Sequence, residues 1–206
     1  MRKLTLSSLL AASLSPLILG ACGEFKVGPE SASELDSGGS GGECPTTIDW
    51  VFPTIAPLNN YVYGQSRAAL GRQIGDGECA TLPDTYIRQG HGIPFFNLGP
   101  TGANADYVWG NLVSTITTQS KFARGAVPGD VIQFRDAAFR WTFPNGSWRT
   151  ASAAHHTAVV SAVSRDASKV CVMHQNVGGV RKVQYGYYDL VGLQSGWMKV
   201  YRPRAN

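Results

Sequence analysis

Charge is sparse in this chain. Asp, Glu, Lys and Arg make up only 16% of its 206 residues, and the formal net charge is +4. The lysines and arginines are scattered, with no basic run of the kind that tracks a nucleic-acid backbone. No nucleic-acid partner is therefore expected. Histidine is scarce too, at four residues: His91, His155, His156 and His174. No pair of Cys or His has metal-ligand spacing, apart from the adjacent His155 and His156. Neither a metal nor an organic cofactor is expected. No stretch reaches the roughly 20 apolar residues of a comfortable membrane span. Internal repeats are absent, which excludes solenoids and propellers. What is there is 43% hydrophobic, enough for one globular domain with a real core.

The first residues do not read as fold. Arg2 and Lys3 form a positive start, and residues 4–19 are apolar but interrupted by Pro16. "LGAC" follows at residues 19–22. This combination resembles a bacterial lipoprotein signal. The resemblance implies residues 1–21 as signal peptide, cleavage before Cys22, and diacylation of the Cys22 sulfur. It also implies an envelope protein anchored in a membrane. Gly23 stands where an Asp favours inner-membrane retention, so an outer-membrane address is expected if the host is Gram-negative. Residues 22–43 end in a Gly/Ser-rich stretch and read as a flexible tether of roughly 25 Å. The domain is expected at residues 44–206.

If Cys22 carries lipid, Cys44, Cys79 and Cys171 remain. One pair can bridge in an oxidising compartment and one thiol is left over. Cys44 opens the domain and Cys171 lies in an apolar, strand-like run, which makes these two the expected pair and Cys79 the odd thiol.

The first half of the domain reads helical. One helix is expected from about Tyr61 to Arg72. A second is expected on "ECATLPDTYIRQG", ended by Gly90, with Pro83 in its first turn. A loop rich in Gly, Pro and aromatics closes on "YVWG" at residues 107–110. The second half is rich in strand-forming runs: "GDVIQF", "FRWTF", "HTAVVSAV", "KVCVMHQ", "VRKVQYGYY" and "WMKVYRP". Tight turns separate them, and residues 165–168 make the third and fourth a hairpin. Helices first and strands second give an α+β domain with an antiparallel sheet.

Cys79 lies at the start of the second helix, on the approach "GDGE" at residues 75–78. A helix N-terminus favours a thiolate, the form that attacks carbonyls. Asp76 and Glu78 oppose it locally, so a base must come from elsewhere. His156 is expected to open one strand and His174 to close its hairpin partner, as cross-strand neighbours. A helix-borne Cys, a sheet-borne His and a third polar group form a recurring nucleophilic arrangement. His174, Gln175 and Asn176 are candidates for the third group. His155 points to the other face or caps the strand, and His91 reads as a loop residue. The bland alternative is a small buried Cys and two surface imidazoles.

Five segments, "GDGECATL", "YVWG", "VPGDVIQF", "HHTAVV" and "VMHQN", carry a further resemblance. The chain resembles the NlpC/P60 and CHAP group of papain-like cysteine hydrolases over most of residues 60–202. The resemblance implies helices packed on an antiparallel sheet of about five to six strands. It implies Cys79 as nucleophile, His156 as base and His174 at the third polar position, with Asn176 as helper. Gln73, six residues before Cys79, matches a possible second oxyanion donor beside the Cys79 amide. Glu78-Cys79-Ala80-Thr81 departs from the group's usual Asp-Cys-Ser-Gly and marks a divergent branch.

Address and resemblance together imply cleavage of an amide, with a peptidoglycan peptide or a protein as substrate. Two other functions fit the same sequence: acyl transfer by the same triad, and an inactive domain that binds peptide or protein. Tyr107, Trp109, Trp141 and Trp148 are candidates for lining a groove, Trp109 equally for the core. The sequence gives no oligomeric state.

Overall fold

The structure is a computed structural model and describes residues 26–27 and 44–206. The expected signal peptide, Cys22 and most of the tether lie outside the described residues. The elements run β1 (Lys26–Val27), β2 (Trp50–Val51), α1 (Pro57–Ala68), α2 (Thr81–Gln89), β3 (Asn111–Ile116), β4 (Val131–Thr142), β5 (Trp148–Ser164), β6 (Lys169–His174), β7 (Gln184–Asp189) and β8 (Leu193–Arg202). The main sheet has the order β3-β8-β4-β5-β6-β7, and β1 and β2 both pair with β5. Every pairing between these strands is antiparallel. Two helices precede the main sheet, so the domain is α+β and papain-like.

Several boundaries differ from the sequence expectation. α1 starts at Pro57 rather than near Tyr61, because proline at the first helical position has its φ already set and no N–H to satisfy. It ends at Ala68, and Gly71 follows with φ 77°. "GDVIQF" and "FRWTF" belong to one strand, β4, whose register slips between Arg135 and Ala138 around Asp136 at φ 47°. β3 had no separate expectation. Only one of its residues, Ile116, is fully buried, so it shows no clear apolar alternation.

Alternation along the strands divides the core between two faces. Ile132, Phe134, Ala158, Val160, Val172 and Met198 pack on one face with Tyr188. Val131, Val159, Met173 and Tyr201 face the other way and receive Leu82 and Ile87 of α2 and Val62 of α1. Each fully buried aliphatic side chain contributes about 1.5–3 kcal/mol. A disulfide joins Cys44 to Cys171, with Cα atoms 5.8 Å apart, and ties the start of the domain to β6.

The "PGD" turn before β4 locks α1 to the sheet. The Asp130 carboxylate is fully buried. It accepts from Asn59 Nδ2 at 2.7 Å, from Val127 N at 2.9 Å, and from Arg202 Nε and Nη2 at 3.1 and 3.0 Å. Burial pushes its pKa up, while Arg202 and the other donors hold it down. Gly129, at φ 84°, lies so close to α1 that a Cβ there would sit 2.1 Å from Asn59 O. Asp130→Ala leaves Asn59 without its short bond, while Arg202 keeps Gly125 O. We expect it to cost about 1–3 kcal/mol, read as a lower urea midpoint with an unchanged slope.

Candidate active site

Cys79 is fully buried and stands immediately before Ala80, the N-cap of α2. Ala80 provides no side-chain cap. Asp76 closes the turn before the helix instead: its Oδ1 accepts from Glu78 N at 3.0 Å and from Thr81 Oγ1 at 2.6 Å. The acid expected to oppose a thiolate is thus spent on closing the turn. Glu78 is compensated as well, with Arg181 Nη2 2.9 Å from Oε1 and Asn176 Nδ2 donating to Oε2 at 2.8 Å. Arg181 Nη1 also donates to Asp76 O at 2.9 Å.

The segment before Cys79 is clamped to the end of β6 by one side chain. Gln175 Oε1 accepts from Ile74 N at 3.1 Å. Its Nε2 donates to Ile74 O at 3.0 Å and to Glu78 O at 2.7 Å. The side chain behaves like a short piece of strand, satisfying backbone groups on both sides of the turn. Gln175 and Asn176 directly follow His174, so the last imidazole of β6 and the entry of α2 are fixed to one another.

His156 Nε2 and His174 Nδ1 are 3.1 Å apart, one donating and one accepting. Both rings are buried. His156 packs against Phe134 with centroids 5.7 Å apart, and His174 stands edge-on to Tyr188 at 6.3 Å. Gly186 makes room: a Cβ on it would lie 2.6 Å from both Cε1 and Nε2 of His174. Burial holds His156 well below the usual imidazole range, with His174 and His155 adding to the effect. Burial also lowers His174, to about 3. The pair is neutral at physiological pH. Burial pushes the Tyr188 hydroxyl the opposite way, far above its ordinary value.

The local geometry departs from the sequence reading in three ways. His156 does not open a strand but lies in the middle of β5, which starts at Trp148. Of the two expectations for His155, the opposite face holds and the strand cap does not: it is buried, with its ring 5.2 Å from that of Tyr107. Alternation sets the two apart. His156 sits on the face of Phe134 and Tyr188, whereas His155 meets Tyr107 on the face that receives α2. Finally, Cys79 was expected as an odd thiol, but it is disulfide-bonded, and among the described residues no cysteine is free. The expectation set Cys22 aside for lipid and so left three cysteines for one bridge.

Gln73 is exposed, and its Nε2 donates to Gly75 O at 3.1 Å, on the turn leading to Cys79. His91 lies in an exposed turn at φ 60° after α2. Trp109 belongs to the core and donates to Gln133 Oε1 at 3.0 Å, and Tyr107 is buried beside it. Trp141 is partly buried and donates to Asp189 O, while Trp148 is exposed. Among the described residues no cluster of His, Cys, Asp and Glu can hold a metal ion. No described helix is long and apolar enough to cross a membrane. Arg181, Gly186 and Tyr188 escaped sequence reasoning. The one available signal was the glycine between tyrosines in "YGYY", which breaks a strand pattern where something approaches closely.

Solved structures similar to this chain include two of Ly7917, one determined with the hydrolyzing product of MDP. They share 19% and 20% identity with it, at a TM-score of 0.43 in each case. The alignments cover 70% of this chain and 62% of those chains. No curated protein matches. Residues 59–206, which hold Cys79, the imidazole pair and the Gln175 clamp, match the AIM3/BBC1 cysteine proteinase-fold domain, and the chain belongs to that family.

Proposed function

We propose that the domain is a cysteine hydrolase that cleaves an amide, with Cys79 as nucleophile in its reduced form. The observation that carries this reading is the Gln175 clamp. It fixes the turn that bears Cys79 against the end of β6, the strand whose last residue, His174, contacts His156. His156 takes the thiol proton as sulfur attacks the carbonyl carbon, and returns it to the leaving amine as the C–N bond breaks. Water then hydrolyses the thioester. His174 fixes the tautomer and orientation of His156. The Cys79 N–H before α2 supports the oxyanion, with Gln73 near the same turn. Because burial keeps both imidazoles neutral, His156 acts as a general base on arrival of substrate rather than as one half of a standing ion pair.

The wider reading places the domain in a bacterial envelope. In this reading Cys22 carries lipid and Cys79 is in its reduced form, and a peptidoglycan peptide is the substrate. It rests on residues 1–43 and on the resemblance of the motifs. A second assignment of the base has its own observation: His155 shares the α2-bearing face, where Met173 and Val159 also pack.

Labelling decides between the two bases. With Cys79 mildly reduced and iodoacetamide added, we expect alkylation with an apparent pKa below that of a free thiol, about 8.5. His156→Ala should slow labelling at pH 7 by at least tenfold, and His155→Ala should leave it near wild type. The reverse pattern moves the base to His155. Slow labelling in all three removes the catalytic reading.

Gly186→Ala pushes a methyl into His174. We expect a loss of activity of 10- to 1,000-fold with a cooperative unfolding transition retained.

The lowered imidazoles also set an acid limit. Their folded pKa values lie below the unfolded value of about 6.5. Their contribution is therefore complete above pH 6.5 and is lost as pH falls towards about 3, where His174 titrates. The thermal midpoint should drop between pH 7 and pH 4, and replacing both imidazoles with Phe should flatten that slope.

A further inference from the structure

The β4–β5 hairpin runs on past β8. The last β8 pairing on β4 is Phe139↔Leu193. Beyond it the described pairings of Arg140, Trp141 and Thr142 are with β5 alone, at Thr150, Arg149 and Trp148. Residues 143–147 close the ribbon. Gly146 N donates to Phe143 O at 2.9 Å, and Phe143 N to Ser147 O at 2.9 Å. Asn145 Oδ1 accepts from Ser147 N at 3.0 Å and from Ser147 Oγ at 2.6 Å. Gly146 stands at φ 81°, which glycine adopts without strain. The tip is therefore a fixed turn that holds the side chains on either side of it in place.

These side chains present aromatic surface and positive charge to solvent. Phe143 is 37% exposed and Trp148 47%. Trp148 is in register with Thr142 and so shares the face of Arg140, whose guanidinium lies 5.0 Å from the centre of its ring. Arg140 and Thr142 are exposed. From Ala137 to Arg165 the sequence holds no Asp or Glu. The charges near the tip are Arg140 and the buried Arg149. Asp189 packs against Trp141, its carbonyl oxygen accepting from Trp141 Nε1 at 2.8 Å. Its carboxylate accepts from Val191 N at 3.1 Å and lies 3.7 Å from Lys169 Nζ. Two exposed rings beside a guanidinium suit the layer where acyl chains meet headgroups. Aromatic rings favour that depth, and the cation answers anionic phosphate.

We propose that the β4–β5 tip docks on an anionic lipid surface, with Phe143 and Trp148 among the headgroups and Arg140 on their phosphates. The docking stands on the tip's own side chains. It needs neither lipid on Cys22 nor the chemistry of Cys79. Eight residues of strand lead from Trp148 to His156, about 26 Å. A docked tip therefore orients the domain and holds the imidazole pair clear of the headgroups.

The test uses the full chain and vesicles whose acyl chains carry bromine, which quenches tryptophan emission on contact. The vesicles are phosphatidylcholine alone or phosphatidylcholine mixed equally with phosphatidylglycerol. We expect the mixed vesicles to quench wild type. Trp148→Phe should cut that quenching at least threefold, and Arg140→Gln at least twofold. Phosphatidylcholine alone should quench wild type at least threefold less than the mixture. Both substituted side chains are exposed, so each variant should keep the wild-type urea transition. Equal quenching of wild type and Trp148→Phe means that the vesicle meets another part of the chain, and it overturns the proposal. Equal quenching by the two vesicles removes the anionic surface and overturns it as well. A Trp148-dependent emission shift with soluble glycan strands, without quenching by either vesicle, makes the tip a sugar platform and overturns lipid docking.

Discussion

One glutamine side chain holds the site together. Gln175 uses its carbonyl oxygen and its amide hydrogens to satisfy Ile74 and Glu78 across the turn that leads into α2. That turn is otherwise poor in regular structure and rich in glycine. The clamp ties its backbone to the end of β6, and Asn176 and Arg181 add bonds to Glu78 and Asp76. With these bonds, the residue after Glu78 and the residue before Gln175, Cys79 and His174, belong to one rigid unit. The charges nearby follow the same logic. Asp76 closes the turn, and Glu78 is bridged by Arg181 and Asn176. The two acids that crowd the cysteine in the sequence are therefore spent on architecture.

The imidazole pair follows from burial. Phe134, Tyr188 and the bare backbone of Gly186 surround it. Two cations in that space are costly, so both rings are neutral, and one hydrogen bond between them fixes their tautomers. A neutral imidazole is a base waiting for a proton. This differs from a site in which an exposed thiolate–imidazolium pair forms before substrate arrives. It also links catalysis to stability, because the packing that tunes the base is the packing that acid disrupts.

The sequence carried the fold class well, because the punctuation was strong. Pro128-Gly129, residues 165–168 and Gly90 each end or start an element where expected, and the apolar runs between them alternate. It carried the site less completely. His174 at the end of β6 was legible, because "VCVMH" is a continuous apolar run up to a polar stop. The mid-strand position of His156 was not. "ASAAHH" is too small and polar to read as strand, yet β4 enforces it through a register that runs from Thr142↔Trp148 to Val131↔Val159. Gln175 and Asn176 were read as helpers to a histidine, and their bonds go instead to the Cys79 turn. That partnership spans most of the domain, and local pattern carries no information about it. The state of Cys79 was not legible either, because the expectation assigned Cys22 to lipid and left Cys79 as the odd thiol.

The account turns on a covalent bond to one sulfur. Its rivals, a peptide-binding domain with no chemistry and a purely structural Cys79, make no such bond. The most direct measurement is intact-mass analysis of the reduced protein, quenched in acid after seconds of contact with a muropeptide digest. We expect an adduct whose mass equals an acyl fragment, located on Cys79, decaying as amine product accumulates and absent from Cys79→Ala. Rapid quenching that finds unmodified protein throughout, while Cys79 is reduced and peptide is bound, would contradict the account.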